Sequence, residues 1–195
     1  MLYRALPTAI LCLLIACSTS DDKHPHVEIQ TGSGDIEVEL YQDKAPKTVT
    51  AFLRYIDSGF YKDASFYRIL NDENQPSNAP KAELIQGGLW KTNYKRLESL
   101  PGIPHETTEQ THIFHKDGVI SLARAEPGTA STEFFICIGD QPGFDYGGEN
   151  NPDGQGYAAF GKVVKGMDVI RKIYHSREND QAFDPPVYIY KIVRL

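Results

Sequence analysis

Hydrophobic positions alternate at the start of the globular part of the chain. Val27 and Ile29, then Ile36, Val38 and Leu40, fall on every second residue either side of Thr31-Gly32-Ser33-Gly34, the pattern of two strands joined by a glycine turn. The period then lengthens. After Lys44-Ala45-Pro46, Val49, Phe52, Leu53 and Ile56 recur at helical spacing until Ser58-Gly59, with proline in the first turn where its missing N–H costs nothing. Short strand-like runs follow at 65–70, 83–86, 118–123, 133–138 and 157–164. A second helix opens after Gly166 with Met167, Ile170, Ile173 and Tyr174 as its apolar face, and 186–195 closes the chain as a strand rich in Val, Ile and Tyr. Seven or eight short strands with turn chemistry between them and two helices predict an all-β barrel or sandwich. The chain has no internal repeat, no glycine-rich loop opening a helix after a strand and no serine-centred elbow, so phosphate and dinucleotide chemistry has no visible seat.

The amino-terminal end has a different pattern. Residues 5–16 are apolar but too short to span a bilayer, which needs roughly 20 residues, and follow one arginine, as in a secretory signal. Leu14-Ile15-Ala16-Cys17 resembles the bacterial lipobox, a resemblance that implies cleavage before Cys17 and lipid on its thiol. Acyl chains there would hold the protein on a membrane of the bacterial envelope, facing the periplasm or the outside. The organisation expected is a signal over 1–16, a flexible tether over 17–26 with His24 and His26 in solvent, and one domain over 27–195.

Composition narrows the function. With 195 residues, 20 Lys+Arg against 26 Asp+Glu and a formal charge of −6, nothing attracts a phosphate backbone, so nucleic acid is not an expected partner. The three cysteines, Cys12, Cys17 and Cys137, exclude a disulfide framework, and Cys137, in an apolar run, reads as a buried small hydrophobe.

Five blocks occur in order: Phe66-Tyr67-Arg68-Ile69, Ile85-Gln86-Gly87-Gly88, Gly118-Val119-Ile120-Ser121-Leu122-Ala123-Arg124-Ala125, Ser131-Thr132-Glu133-Phe134-Phe135-Ile136-Cys137 and Phe160-Gly161-Lys162-Val163-Val164-Lys165-Gly166-Met167. Together they resemble the cyclophilin family of peptidyl-prolyl isomerases. The resemblance implies an eight-stranded closed antiparallel barrel capped by two α-helices, with a groove on its outer face. A monomer with no cofactor or metal is expected, acting on proline-containing peptides and unfolded protein clients. Arg68 matches the family's catalytic arginine and Gln86 its carbonyl-binding glutamine. Leu84, Phe135 and Phe144 match apolar pocket residues, and Phe66, Arg124, Ala125, Glu133 and Tyr157 are expected along the groove. The chemistry fits these residue types. An X–Pro bond rotates slowly because nitrogen donates its lone pair into the carbonyl, and a barrier of about 18–20 kcal/mol must be crossed. Catalysis needs no nucleophile, only a donor aimed at the prolyl nitrogen, an anchor for peptide carbonyls and a dry pocket for the ring.

The chain also departs from the family pattern. Glu83 stands where the family often has a pocket phenylalanine, Glu133 where many members have glutamine, and Tyr157 where some have histidine. Gly143 falls where some carry the tryptophan that contacts cyclosporin, so weak inhibition by cyclosporin is expected. Between Arg68 and Gln86 lies extra polar chain, Asn71 to Lys81, expected as a surface loop beside the groove. These departures leave a second reading, a peptide-binding module with the same fold and little turnover. His105, His112 and His115 near Glu106 and Glu109 read as loop and strand edge, and the stretch from Asp145 to Gly154 as a glycine-rich turn, neither with metal-ligand spacing.

Overall fold

The computed structural model describes residues 24–195. The signal, Cys17 and most of the expected tether lie outside the described residues. In chain order the elements are β1 (His26–Thr31), β2 (Gly34–Leu40), α1 (Pro46–Asp57), β3 (Ala64–Leu70), β4 (Leu84–Gly88), α2 (Tyr94–Glu98), α3 (Thr108–Thr111), β5 (Val119–Leu122), β6 (Phe134–Cys137), β7 (Ala158–Lys165), α4 (Met167–Tyr174), β8 (Glu178–Asn179) and β9 (Ala182–Arg194), with a short 3₁₀ turn at Pro142–Phe144. Strands run in the order β1-β2-β7-β5-β6-β4-β3-β9, and β1 pairs again with β9. The sheet therefore closes on itself as an eight-stranded antiparallel barrel, with β8 an appendage of β9, and closure removes the exposed edges an open sheet would carry.

The alternation seen in the sequence fills the barrel. Val27, Ile29, Ile36, Val38 and Leu40 are fully buried together with Phe66, Ile85, Phe134 and Phe160. Phe52 of α1 joins them, its ring 5.9 Å from that of Phe134 and 5.0 Å from that of Phe160. The residue preceding α1, Ala45, has no side chain to cap the helix. Buried Glu106 does so from a distant loop: its carboxylate accepts from the Thr48 amide at 2.8 Å, the Thr48 hydroxyl at 2.7 Å and the Lys47 amide at 3.2 Å. These are donors that a helix start otherwise leaves open.

Three details differ from the sequence reading. β1 starts at His26, and His24 is half-buried, with Nδ1 2.7 Å from Glu39 Oε1 and Nε2 2.9 Å from Asp43 Oδ1. The barrel thus claims the end of the expected tether, because carboxylates of β2 and the loop after it draw the imidazole in. Two short helices, α2 and α3, appear where only loops were expected. Finally, the register between β3 and both its neighbours shifts between Phe66 and Arg68, leaving Tyr67 as the extra residue of a bulge. Phe66 enters the barrel, while Tyr67 and Arg68 both reach the cavities on the outer face.

Candidate functional site

Two adjoining cavities open on the outer face, and Arg68, Gln86, Ala123 and Arg124 line both. The smaller, of about 220 Å³, is walled by Leu70, Leu84, Phe135, Phe144 and Tyr157. Its three rings form a box: Phe135 lies 5.1 Å from Phe144 and 5.4 Å from Tyr157, which stands edge-on to both other rings. Behind it, His115 stacks on Phe135 at 5.8 Å, its two ring nitrogens 2.7 Å from Asp145 Oδ1 and 2.9 Å from the Ser121 hydroxyl. The wall is therefore braced by a buried polar contact on its far side. Gly143, in the turn that carries Phe144, lies against the Asn150 side chain, whose amide oxygen sits where a Cβ would stand and would have to move for a larger residue. The larger cavity, of about 590 Å³, runs between Trp90 and Tyr94 on one side and Ala125 and Thr129 on the other.

Arg68 stands half-buried where the two meet. Its Nε and Nη2 donate to Gln181 Oε1 at 3.2 and 2.8 Å, and its Nη1 donates to Gln86 Oε1 at 3.3 Å. Gln181 in turn donates to the Asn74 carbonyl at 3.2 Å, so the inserted loop supports the arginine's partner. Among the described residues no carboxylate pairs with Arg68. Its partners are amide oxygens, which hold the guanidinium without neutralising it.

A second set of contacts continues from Gln86. Its Nε2 donates to the Tyr67 hydroxyl at 2.7 Å, and that hydroxyl donates to Glu133 Oε2 at 2.7 Å. Glu133 Oε1 accepts from the Leu89 amide at 2.7 Å and the Thr132 hydroxyl at 3.1 Å. Burial raises the Glu133 carboxyl above its ordinary range, against the lowering effect of these donors. Burial likewise pushes the Tyr67 phenol well up, with Glu133 adding to the rise. Gly88, at φ +145°, is needed here because a Cβ would run into the Glu133 carboxylate.

Of the other expected groove residues, Arg124, Ala125 and Glu133 line the larger cavity, and Phe66 does not. Phe66 is fully buried in the barrel, 5.8 Å from the Phe134 ring, and touches neither cavity: the bulge at Tyr67 gives the outward position to its neighbours. Arg124 borders both cavities, but its guanidinium turns away to Asp153, at 2.6 and 2.9 Å, and to the Gly156 carbonyl, at 2.9 and 2.5 Å. Its side chain is 1% exposed, and the Arg124 hydrogen bond holds the Asp153 carboxyl at about 2. Glu133 is a buried acceptor at the floor of the larger cavity, not a charge on the rim. Ala125 is exposed on the rim of that cavity. Glu83 leaves the groove altogether, accepting from the Tyr174 hydroxyl at 2.6 Å. Cys137 is a buried free thiol, its pKa pushed up by burial. His105, Glu106 and His115 serve three separate structural contacts, to Gln155, α1 and Asp145.

The family model described as cyclophilin type peptidyl-prolyl cis-trans isomerase matches residues 26–194. The chain belongs to the cyclophilin family. Peptidyl-prolyl cis-trans isomerase A of Dickeya dadantii is 35% identical over 149 residues, covering 76% of this chain and 70% of its own. Peptidyl-prolyl cis-trans isomerase B of Escherichia coli is 34% identical over 148 residues, with 75% and 82% covered. Among solved structures, a cyclophilin-type isomerase of Cryptosporidium parvum superposes with a TM-score of 0.65 at 22% identity, over 88% of this chain and 98% of that one. The same protein in the presence of the dipeptide Ala-Pro gives 0.63 at 23% identity, over 86% and 97%. This cyclophilin is a peptidyl-prolyl cis-trans isomerase, and its barrel is the family's. Sequence reasoning missed Tyr67, Asn74 and Gln181. Tyr67 adjoins Arg68 in the chain, a signal of proximity only, and nothing in the sequence marks Gln181, 113 residues from the arginine it holds.

Proposed function

We propose that Arg68 is the catalytic group of this isomerase and that the aromatic box beside it grips the prolyl ring. What carries the reading is a guanidinium held, among the described residues, by neutral amide oxygens at the mouth of a cavity walled by three aromatic rings. As the X–Pro bond twists, its nitrogen loses conjugation and its lone pair becomes a hydrogen-bond acceptor. A permanently charged donor fixed beside that nitrogen then stabilises the twisted state more than the planar one. Leu84, Phe135, Phe144 and Tyr157 exclude water and hold the ring, so that the residue before proline does the rotating. Gln86 is placed to anchor a peptide carbonyl, and the neighbouring larger cavity is open to residues flanking the proline. In an NMR exchange assay on a proline tetrapeptide, Arg68→Ala should lower kcat/KM at least about a hundredfold with the fold intact. Unchanged exchange would end the assignment.

The clients we propose are unfolded proteins of a bacterial envelope, met by a monomer tethered through lipid on Cys17. Leu14-Ile15-Ala16-Cys17 and the polar residues after it support this reading. Labelled fatty acid should enter the full-length protein but not Cys17→Ala, and a label-free wild type would refute it. Gly143, which presents no ring where some family members carry the tryptophan that contacts cyclosporin, supports weak binding of cyclosporin.

A further inference from the structure

The hydrogen bonds that run from Glu133 through Tyr67 to Gln86 have a direction. An ionised carboxylate only accepts, and Glu133 is met by donors on both oxygens: the Leu89 amide and Thr132 hydroxyl on one, the Tyr67 hydroxyl on the other, with the Trp90 amide also donating to the carboxylate. The single proton of Tyr67 is thereby committed to Glu133. Toward its other neighbour the phenolic oxygen can only accept, and that neighbour is the Gln86 amide nitrogen at 2.7 Å. With its nitrogen committed, Gln86 must present its carbonyl oxygen to Arg68 Nη1, 3.3 Å away. A flipped Gln86 would set N–H donors against a guanidinium that has only donors, and an oxygen against a hydroxyl with no proton left to give.

We infer that Glu133 and Tyr67 are positioning residues for the isomerase reaction: they fix the face of the Gln86 amide that meets Arg68, and so fix the guanidinium in the groove. This rests on the assignment of Arg68 proposed above. It accounts for two features with no role in that assignment, a carboxylate buried at the floor of a peptide groove and a glycine at φ +145° beside it.

Two substitutions test the direction of the chain. Tyr67→Phe keeps the ring and removes the link. Glu133→Gln keeps the shape and reverses the polarity: the Leu89 amide is backbone and still needs an oxygen, so the new NH2 must face Tyr67, which then loses its acceptor. Each should lower kcat by about tenfold, the size of one hydrogen bond to a charged group, with KM nearly unchanged. The double variant should be no worse than the worse single, because both break one chain. In Tyr67→Phe the Gln86 side-chain amide pair should shift and broaden in an ¹⁵N–¹H spectrum. Arg68→Ala is measured alongside. If it retains activity, the Arg68 assignment fails. If it loses activity while Tyr67→Phe stays within about twofold of wild type with an unmoved Gln86 amide, only the positioning chain is overturned. Loss confined to KM, or full additivity in the double variant, overturns it as well, and if Glu133→Gln does not fold, Tyr67→Phe decides alone.

Discussion

Two arginines border the same pair of cavities and do opposite things with their charge. Arg124 gives its guanidinium to the Asp153 carboxylate and the Gly156 carbonyl and disappears from the surface. Arg68 gives its guanidinium to two glutamine oxygens and stays half-exposed in the groove. The first is neutralised and ties down the loop that carries Phe144 and Tyr157. The second is immobilised by dipoles, so its field still reaches whatever lies in the groove. An arginine at a groove is therefore not catalytic by location. Its partners decide.

Removing the neutralised arginine should strike stability rather than rotation. Arg124→Ala strips the Gly156 carbonyl of its charged donor and loosens the loop behind Tyr157, at a cost of about 2–3 kcal/mol. Denaturant melts should show the loss, and NMR exchange should show KM rising as the ring box loosens while kcat is largely kept. A fall in kcat matching that of Arg68→Ala, with no change in melting, would erase the distinction between the two.

What was legible in the chain follows the same division. The barrel was readable because its interior is filled by every second residue: Val27 and Ile29 or Ile36, Val38 and Leu40 face inward wherever the strands pair. Leu84, Phe135 and Phe144 were expected in the pocket from the family resemblance and Tyr157 along the groove, and the structure brings all four together around one cavity. Phe66 was misplaced because a bulge adds a residue to β3 without any residue type announcing it, so the alternation that puts Phe66 inside brings Tyr67 out beside Arg68. The partners of the arginines were illegible for a plainer reason. Asp153 follows Arg124 by 29 residues and Gln181 follows Arg68 by 113, and neither separation leaves a periodic trace.

Gln181→Glu puts a carboxylate where Arg68 now meets an amide oxygen, converting it electrostatically into a second Arg124 with little change of shape. The charge facing the prolyl nitrogen is then partly cancelled at contact distance, and kcat/KM should fall by about tenfold while melting holds or improves. Gln181→Ala is the companion: it leaves the charge free but less well held, and should cost less than the glutamate does. If the glutamate variant is as active as wild type, an uncancelled charge is not what the site needs.

The smallest effect belongs to acid. Arg124 holds the Asp153 carboxyl at about 2 in the folded protein, below the value of about 4 it regains on unfolding. The lowered group contributes stability that is complete above the unfolded value and is lost as pH falls toward the folded one, because the unfolded chain takes up the proton first. In Asp153→Asn that contribution is absent at every pH. Its melts should therefore lie below wild type at pH 6 and converge with it between about pH 4 and 2. Among the described residues Arg68 has no such partner, since Gln86 and Gln181 do not titrate, so Gln181→Ala should shift the melting curve by the same amount across that window. Parallel convergence in both variants would mean that the acid sensitivity lies elsewhere in the barrel and that the Arg124 clamp contributes nothing of its own.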